Sequence, residues 1–152
     1  MTSKYLNLLI SFVLFGIVAL TIHEWAHYHV AALFGIKGVV MYSSIVGGTF
    51  IPDISTPINT WVVYTAGGIV TALFLFVIWF FATHVGQPWD PDDACAVFTI
   101  MMYQFCYGMA ETSLFYSQSM FNVLAPISMV VGFLVGVIYY FPKLIVWWSK
   151  EE

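Results

Sequence analysis

Charged side chains are scarce in this chain. Only 8% of its 152 residues are Asp, Glu, Lys or Arg, and arginine is absent, whereas soluble domains carry roughly a quarter charged residues. So few charges cannot form a normal wetted surface. Four lysines without arginine also exclude a nucleic-acid-binding role, because phosphates are bound by clustered basic groups. A composition that is 61% hydrophobic excludes disorder and leaves an integral membrane protein of one domain.

Four apolar stretches are each long enough to cross a bilayer as a helix, which takes about 20 residues. They cover approximately 5–35, 61–83, 94–116 and 121–141. The first stretch continues well past the length of a signal peptide, so we expect it to be a retained helix. We therefore predict an all-α polytopic membrane protein with about four transmembrane helices in a single transmembrane domain over residues 1–152.

The connection between the first two helices differs in composition from the others. Its residues 38–51 are β-branched, aromatic and interrupted by glycine, and prolines follow them. This composition predicts one or two short strands at the membrane surface or dipping into the membrane. At the other end of the chain, the tail 142–152 carries two tryptophans beside Lys150, which is typical of an anchor at the membrane interface.

Only two charged side chains lie inside the predicted spans, Glu24 and Glu111. A carboxylate at the bilayer centre costs at least a few kcal/mol, so such a residue is by default a candidate for function. The alternative is a pair of protonated or hydrogen-bonded acids that pack the helices together.

Glu24 belongs to an HExxH motif in the first predicted helix, His23-Glu24-Trp25-Ala26-His27. Residues four apart differ by about 40° around a helix and by one turn in height, so both imidazoles can reach one zinc ion. Glu24 lies about 100° from His23 around the helix axis, which places it beside the metal. There it can take a proton from the water that zinc activates and deliver it to a leaving amine. The motif predicts a zinc site with His23 and His27 as ligands and Glu24 as the catalytic base.

A zinc site of this kind needs a third protein ligand. The depth of Glu111 in the membrane favours it as this ligand. The third helix runs in the same direction as the first and brings this acid within about a turn of the histidine pair. His84 and the acids after it fall on the opposite side, more than about 20 Å away. The alternative is a structural carboxyl bonded to Tyr107 or Gln104, although these two residues could instead orient Glu111 as a ligand.

The second helix enters from the metal side, with Thr65-Ala66-Gly67-Gly68 at the depth of the metal. Small residues let helices approach closely, and this packing role would explain the glycines. Alternatively, they make room for a substrate backbone beside the zinc. Asn122 is one candidate for a hydrogen bond to a substrate carbonyl, and the substrate-binding residues stay unassigned.

With these residues the chain resembles the site-2 protease family of intramembrane zinc metalloproteases. The resemblance covers the order of elements over most of residues 5–116: HExxH, the β-like connection with Gly47-Gly48, Ala66-Gly67-Gly68, and an acid in the third helix. It implies a zinc metalloendopeptidase that holds one zinc ion by two histidines and a carboxylate. It also implies cleavage of a transmembrane segment of another protein, with Val39 to Phe50 contacting the substrate as a strand edge.

This chain differs from the family pattern at three positions. Gly68 and Thr71 stand where the family usually has a proline and a later asparagine, and Glu111 stands where it has an aspartate. Two other functions would use some of the same groups. A membrane carrier of metal ions or protons would bind its ion transiently at the same His and Glu cluster. A bis-His haem bundle would need a second histidine at matched depth, which His84 does not provide.

The composition and the family resemblance also predict the location of the protein and its partners. We expect a multi-pass protein of a cell membrane, as in a prokaryote, whose partners are the lipid bilayer and a transmembrane protein or peptide substrate. Nucleic acid is excluded as a partner. The orientation and the oligomeric state stay open, because three lysines on the side of the termini and Lys37 on the other side are too few to decide the orientation.

Overall fold

The computed structural model describes residues 2–44, 47–85 and 89–150. This part of the chain forms four α-helices, a 3₁₀ turn and a two-stranded antiparallel sheet. In chain order the elements are α1 (Thr2–Leu33), β1 (Gly38–Ser44), β2 (Gly47–Pro52), α2 (Trp61–His84), α3 (Pro91–Glu111), the 3₁₀ turn (Thr112–Phe115) and α4 (Gln118–Trp148). The predicted class, a helical bundle with a β-like connection between its first two helices, is confirmed.

Three of the described helices are long and apolar enough to cross a membrane, and this is compatible with a membrane protein. They are Lys4–Leu33, Trp61–His84 and Gln118–Trp148. The third helix, α3, is not among them, although the sequence predicts about four spans. More than half of its residues are buried, and it packs against α1, α2 and α4. Because its neighbours cover it, α3 can hold polar side chains that a lipid-exposed helix could not.

Glycines allow α3 to approach its neighbours closely. Gly68 of α2 meets Gly108 of α3 backbone to backbone, so that a Cβ atom on either residue would collide with the other helix. Gly132 and Gly136 of α4 form a GxxxG pattern, and the second of them lies against the backbone of Thr99. Small residues at helix crossings are the usual way in which helices associate in lipid. These contacts place α3 at the centre of the bundle.

The predicted third helix, 94–116, differs from α3 at both ends. Asp90 accepts a hydrogen bond from the backbone N–H of Asp92 (3.0 Å), and a proline occupies the first turn, so the helix begins earlier than predicted. At the other end α3 stops at Glu111, and a 3₁₀ turn follows. Tightening into 3₁₀ geometry is common where an α-helix ends.

The fourth helix continues beyond its predicted end. The sequence predicts a stop at Pro142 and an interfacial tail over 142–152, but α4 runs through this proline to Trp148. A proline inside a helix costs about 3 kcal/mol. The residues that follow it are held by tertiary packing: Leu144 is fully buried, and the Trp148 ring lies 5.1 Å from the Tyr5 ring of α1. Packing against the rest of the bundle therefore overrides the local signal to stop.

The β-like segment predicted over 38–51 forms a hairpin between α1 and α2. β1 and β2 pair in antiparallel fashion, and Gly38 lies opposite Pro52. Ile45 and Val46, which belong to the predicted segment, lie outside the described residues. The hairpin contacts α1 through both of its strands, so it lies beside the helix that carries the HExxH motif.

Candidate functional site

His23 and His27 of α1 meet Glu111 at the end of α3. The two histidine Nε2 atoms are 3.2 Å apart. Glu111 Oε1 lies 3.2 Å from His23 Nε2 and 3.5 Å from His27 Nε2. His23 and Glu111 are buried, and His27 is half-buried. These three atoms form a nearly equilateral triangle, called the ligand triangle below, and such a group could hold a metal ion.

Local helix geometry and one helix crossing bring the three residues together. A spacing of four residues stacks the two imidazoles on one face of α1. Glu111 follows Gly108 by three residues, and Gly67 directly precedes Gly68. The close contact between Gly68 and Gly108 therefore lies at the level of the ligand triangle and sets the position of α3 there.

Each imidazole is oriented by the nitrogen that faces away from the ligand triangle. His23 Nδ1 lies 2.9 Å from Gln104 Oε1, and His27 Nδ1 lies 2.6 Å from the backbone carbonyl oxygen of Val63. A carbonyl oxygen can only accept a hydrogen bond, so each Nδ1 carries a proton and donates it. In a neutral imidazole, Nε2 then has a free lone pair. Both lone pairs belong to atoms that face Glu111 Oε1.

Three acceptor atoms that face one another repel unless a cation lies between them. One proton can join only one of the three pairs, whereas one metal ion contacts all three atoms. The second carboxylate oxygen, Glu111 Oε2, is buried and has no hydrogen-bond partner in the described part of the chain. A buried carboxylate oxygen without a partner is costly. The donor set, its orientation and this unpartnered oxygen all fit a metal ion.

Gly67 keeps the space beside the ligand triangle open. A Cβ atom at this position would collide with Nε2 of both His23 and His27. The sequence left two roles open for the neighbouring glycines, helix packing and room at the site. The structure divides these roles between them, because Gly68 packs against α3 and Gly67 faces the imidazoles.

Glu24 lies beside the ligand triangle and contacts the hairpin. Its Oε2 accepts a hydrogen bond from the backbone N–H of Phe50 (2.8 Å). This N–H points toward α1 instead of β1, so the outer edge of β2 faces the site. A Cβ atom on Gly48 would approach Glu24 Cγ to 2.9 Å, which means that the strand and the carboxylate are in close contact.

A cavity of about 490 Å³ opens over the ligand triangle and Glu24. Its size falls within the range of ligand sites, which is about 300–1,000 Å³. Leu20 of α1 and Met129 of α4 both line it, together with β2 and α3. Closer to the termini these two helices are in contact, and the rings of Phe12 and Phe133 lie 6.4 Å apart. At the level of the ligand triangle both helices instead border the cavity.

The remaining polar candidates do not join this group. Asn122 is exposed, and its Oδ1 accepts a hydrogen bond from Gln118 Nε2 (3.0 Å). His29 and His84 each stack on a neighbouring aromatic ring. Neither histidine belongs to the ligand triangle.

Three contacts of the site either differ from what the sequence predicts or could not be predicted from it. The sequence offers Gln104 as one of two candidate partners of Glu111, because the two lie on one helix face, but its side chain contacts His23. Tyr107, the other proposed partner of Glu111, packs against the His23 ring with 5.6 Å between centroids. The Val63 contact uses a backbone carbonyl, and no side-chain pattern could have indicated it.

Comparison of the chain with protein-family models, curated proteins and solved structures finds no match. A functional conclusion therefore depends on the chemistry of the site: a ligand triangle, a carboxylate beside it, a strand edge and a cavity above them.

Proposed function

We propose that this chain is an intramembrane zinc metalloprotease that hydrolyses peptide bonds in or near transmembrane segments of other proteins. The observation that carries the proposal is the ligand triangle of His23, His27 and Glu111, with Glu24 beside it. The resemblance of the HExxH motif and the order of elements to the site-2 protease family supports the same activity.

Zinc fits the dimensions of the ligand triangle. Bonds of about 2.0–2.1 Å at tetrahedral angles separate ligand atoms by about 3.3 Å, and the separations here are 3.2, 3.2 and 3.5 Å. Two histidines and one glutamate form a ligand set of catalytic zinc sites, in which a fourth position stays open. When bound, zinc would supply a Lewis acid that polarises a carbonyl and lowers the pKa of water.

The charges of the site also support a divalent cation. His23 and His27 are neutral when each donates only from Nδ1. The carboxylates of Glu24 and Glu111 then carry two negative charges, which one zinc ion balances. A group that is neutral in total is much less costly to bury in a membrane than an isolated charge.

Glu24 would act as the general base of the reaction. The hydrogen bond from Phe50 engages Oε2 and fixes the direction of the carboxylate. The carboxylate can then take a proton from water and later return it to the leaving amine, the two transfers that peptide hydrolysis requires. Both steps need the base beside the metal and not on it, which is the position of Glu24 relative to the ligand triangle.

The hairpin would hold the substrate as an extended strand. A peptide bond within a helix is covered by its own turns, so a transmembrane substrate must unwind before it is cleaved. The outer edge of β2 faces the cavity, and its residues Gly48 to Phe50 line it. Exposed strand edges pair with added strands through backbone hydrogen bonds. The strand edge that sequence analysis expected over Val39 to Phe50 is therefore proposed to be the β2 side of the hairpin.

The test is zinc analysis together with cleavage of a model transmembrane peptide in liposomes. The wild-type protein should retain about one zinc ion per chain and cleave the peptide. Glu24→Gln should retain zinc without cleaving. Zinc that exchanges freely, combined with no cleavage by the wild type, would favour a metal carrier that uses the same cluster.

A further inference from the structure

Tyr107 lines the cavity beside the ligand triangle. Its ring lies 5.6 Å from the His23 ring, 6.2 Å from the Tyr103 ring and 6.1 Å from the Phe121 ring, measured between centroids. These contacts come from α1, α3 and α4, so the ring is held from several sides. These contacts fix the position of the ring beside the cavity.

No described residue forms a hydrogen bond with the Tyr107 hydroxyl, although the side chain is half-buried. Tyrosine hydroxyls usually find a partner when they are buried. Tyr140 illustrates the usual case, since its hydroxyl accepts a hydrogen bond from Trp79 Nε1 (3.1 Å). The missing partner of Tyr107 is therefore expected to come from whatever occupies the cavity.

The chemistry of this position suits a hydrogen-bond donor. Glu24 and Glu111 line the same cavity as Tyr107. A phenol ionises near pH 10, so at neutral pH it is a protonated O–H group. In contrast to the two carboxylates, it can donate a hydrogen bond to an oxygen that becomes negative. The Phe50 N–H near the same cavity is already bonded to Glu24.

We propose that Tyr107 is a catalytic residue that donates a hydrogen bond to the carbonyl oxygen of the scissile peptide bond as that oxygen gains negative charge. This inference rests on the proposed peptidase function. The oxygen of water bonds to the carbonyl carbon, the carbonyl π electrons move onto the carbonyl oxygen, and one water proton passes to Glu24. The electron pair on that oxygen then re-forms the C=O double bond as the C–N bond breaks with its electron pair on nitrogen, and Glu24 returns the proton to that nitrogen. Tyr107 keeps its own proton throughout.

A donor fixed before the reaction stabilises the developing charge most strongly in a site with little water. The substrate carbonyl is neutral before attack, so the hydrogen bond strengthens as the charge forms. Such an interaction lowers the barrier without tightening substrate binding to the same degree. Loss of the hydroxyl should therefore reduce kcat and leave KM nearly unchanged.

The first test uses binding and does not require turnover. The probe is a transmembrane peptide in which a phosphinate replaces the scissile amide, because its charged tetrahedral oxygens mimic the oxyanion. Removing a hydrogen bond to a charged group should weaken binding of this probe to Tyr107→Phe by about 10- to 100-fold. Tyr116→Phe, which removes an exposed hydroxyl away from the cavity, is the control and should bind like the wild type. Equal phosphinate affinity of Tyr107→Phe and the wild type would overturn the proposal.

The second test measures cleavage and zinc content of the same proteins. Tyr107→Phe should lose about 100-fold in kcat, with its KM and zinc content unchanged. Loss of zinc in this variant would assign the hydroxyl to the structure of the metal site and would also overturn the catalytic role. If the wild-type protein neither binds the phosphinate nor cleaves the peptide, both the proposed function and this inference are wrong. If the wild type is active and Tyr107→Phe has the same phosphinate affinity and kcat, only the proposed role of Tyr107 is wrong.

Discussion

The Glu24 carboxylate and the Phe50 backbone are joined by a hydrogen bond of 2.8 Å. This contact links α1, which carries both candidate histidine ligands, to the outer edge of β2. The strand edge proposed to bind substrate and the carboxylate proposed to activate water are therefore in direct contact. Any change in the backbone at this point of the hairpin should be transmitted to the base.

Phe50→Pro should impair cleavage while zinc stays bound. Proline removes the backbone donor, so Glu24 loses the hydrogen bond that fixes the direction of its carboxylate. Phe50→Ala keeps the N–H and removes only the aromatic ring, so the ratio of the two activities isolates the contribution of the donor. We expect Phe50→Pro to be at least about 10-fold less active than Phe50→Ala, the effect of losing a hydrogen bond to a charged group. Equal activities would argue against a role for the hydrogen bond between Phe50 and Glu24 in cleavage.

Glu24→Gln should fold, retain zinc and lose cleavage. The amide oxygen of glutamine can still accept the hydrogen bond from Phe50, so the local geometry is kept. An amide cannot take a proton from water, and loss of a general base typically costs 10²- to 10⁴-fold in rate, so we expect a decrease of about this size. The measurement is turnover of a model transmembrane substrate together with zinc content. Near-normal turnover would remove the mechanism.

Gly67→Ala should strongly reduce zinc binding. The new methyl group would occupy the space beside the histidine Nε2 atoms and displace at least one of them. Gly16→Ala is the matched control, because a Cβ atom at this position of α1 meets no atom within 4 Å. The control should bind zinc normally and gain about 0.5–1 kcal/mol of helix stability. Equal zinc affinities of Gly67→Ala and Gly16→Ala would contradict the position assigned to the metal.

Gln104→Leu should weaken zinc binding by about 10- to 100-fold, because it removes the acceptor that orients a ligand imidazole. Gln104→Glu keeps an acceptor for His23 Nδ1 and should bind zinc more tightly than the leucine variant. The comparison is made by competition with a chelator. Leucine and glutamate variants with the same affinity would mean that Gln104 does not support the metal site.

The parts of the site that follow from local geometry could be predicted from the sequence. The four-residue spacing of His23 and His27 fixes the relation of their rings within any α-helix. Glu111 could be matched to them by depth, because the only other acid within a predicted span is Glu24 itself. The hairpin was indicated by its composition, which changes from helix-forming to β-branched and glycine-rich residues.

The rest depends on how the helices are rotated and packed, which composition does not record. Gln104 lies on the same face as Glu111, but the rotation of α3 brings its amide to His23. The Val63 contact depends on where α2 exposes a backbone carbonyl at its first turn. The continuation of α4 through Pro142 depends on partners that are distant in sequence. Each difference arises from tertiary packing that overrides or extends a local rule.

We propose that one zinc ion is held by two histidines and Glu111. The most direct test of this proposal is a zinc competition titration of the purified protein against a chelator of known affinity. The variants are Glu111→Ala, Glu111→Asp and the double variant His23→Ala, His27→Ala. Asp53→Ala is the control, because this acid lies in the exposed turn after the hairpin, where it bonds the backbone N–H of Ser55.

The wild type and the Asp53→Ala control should each bind one zinc ion per chain with the same affinity. The double histidine variant should bind none, and Glu111→Ala should lose orders of magnitude in affinity, because it leaves the ion with one fewer negative ligand in a buried site. Glu111→Asp should retain part of the affinity, since the ligand atom remains but its reach shortens by one methylene. Zinc affinity of Glu111→Ala equal to that of the wild type, or zinc retained by the double histidine variant, would contradict the account.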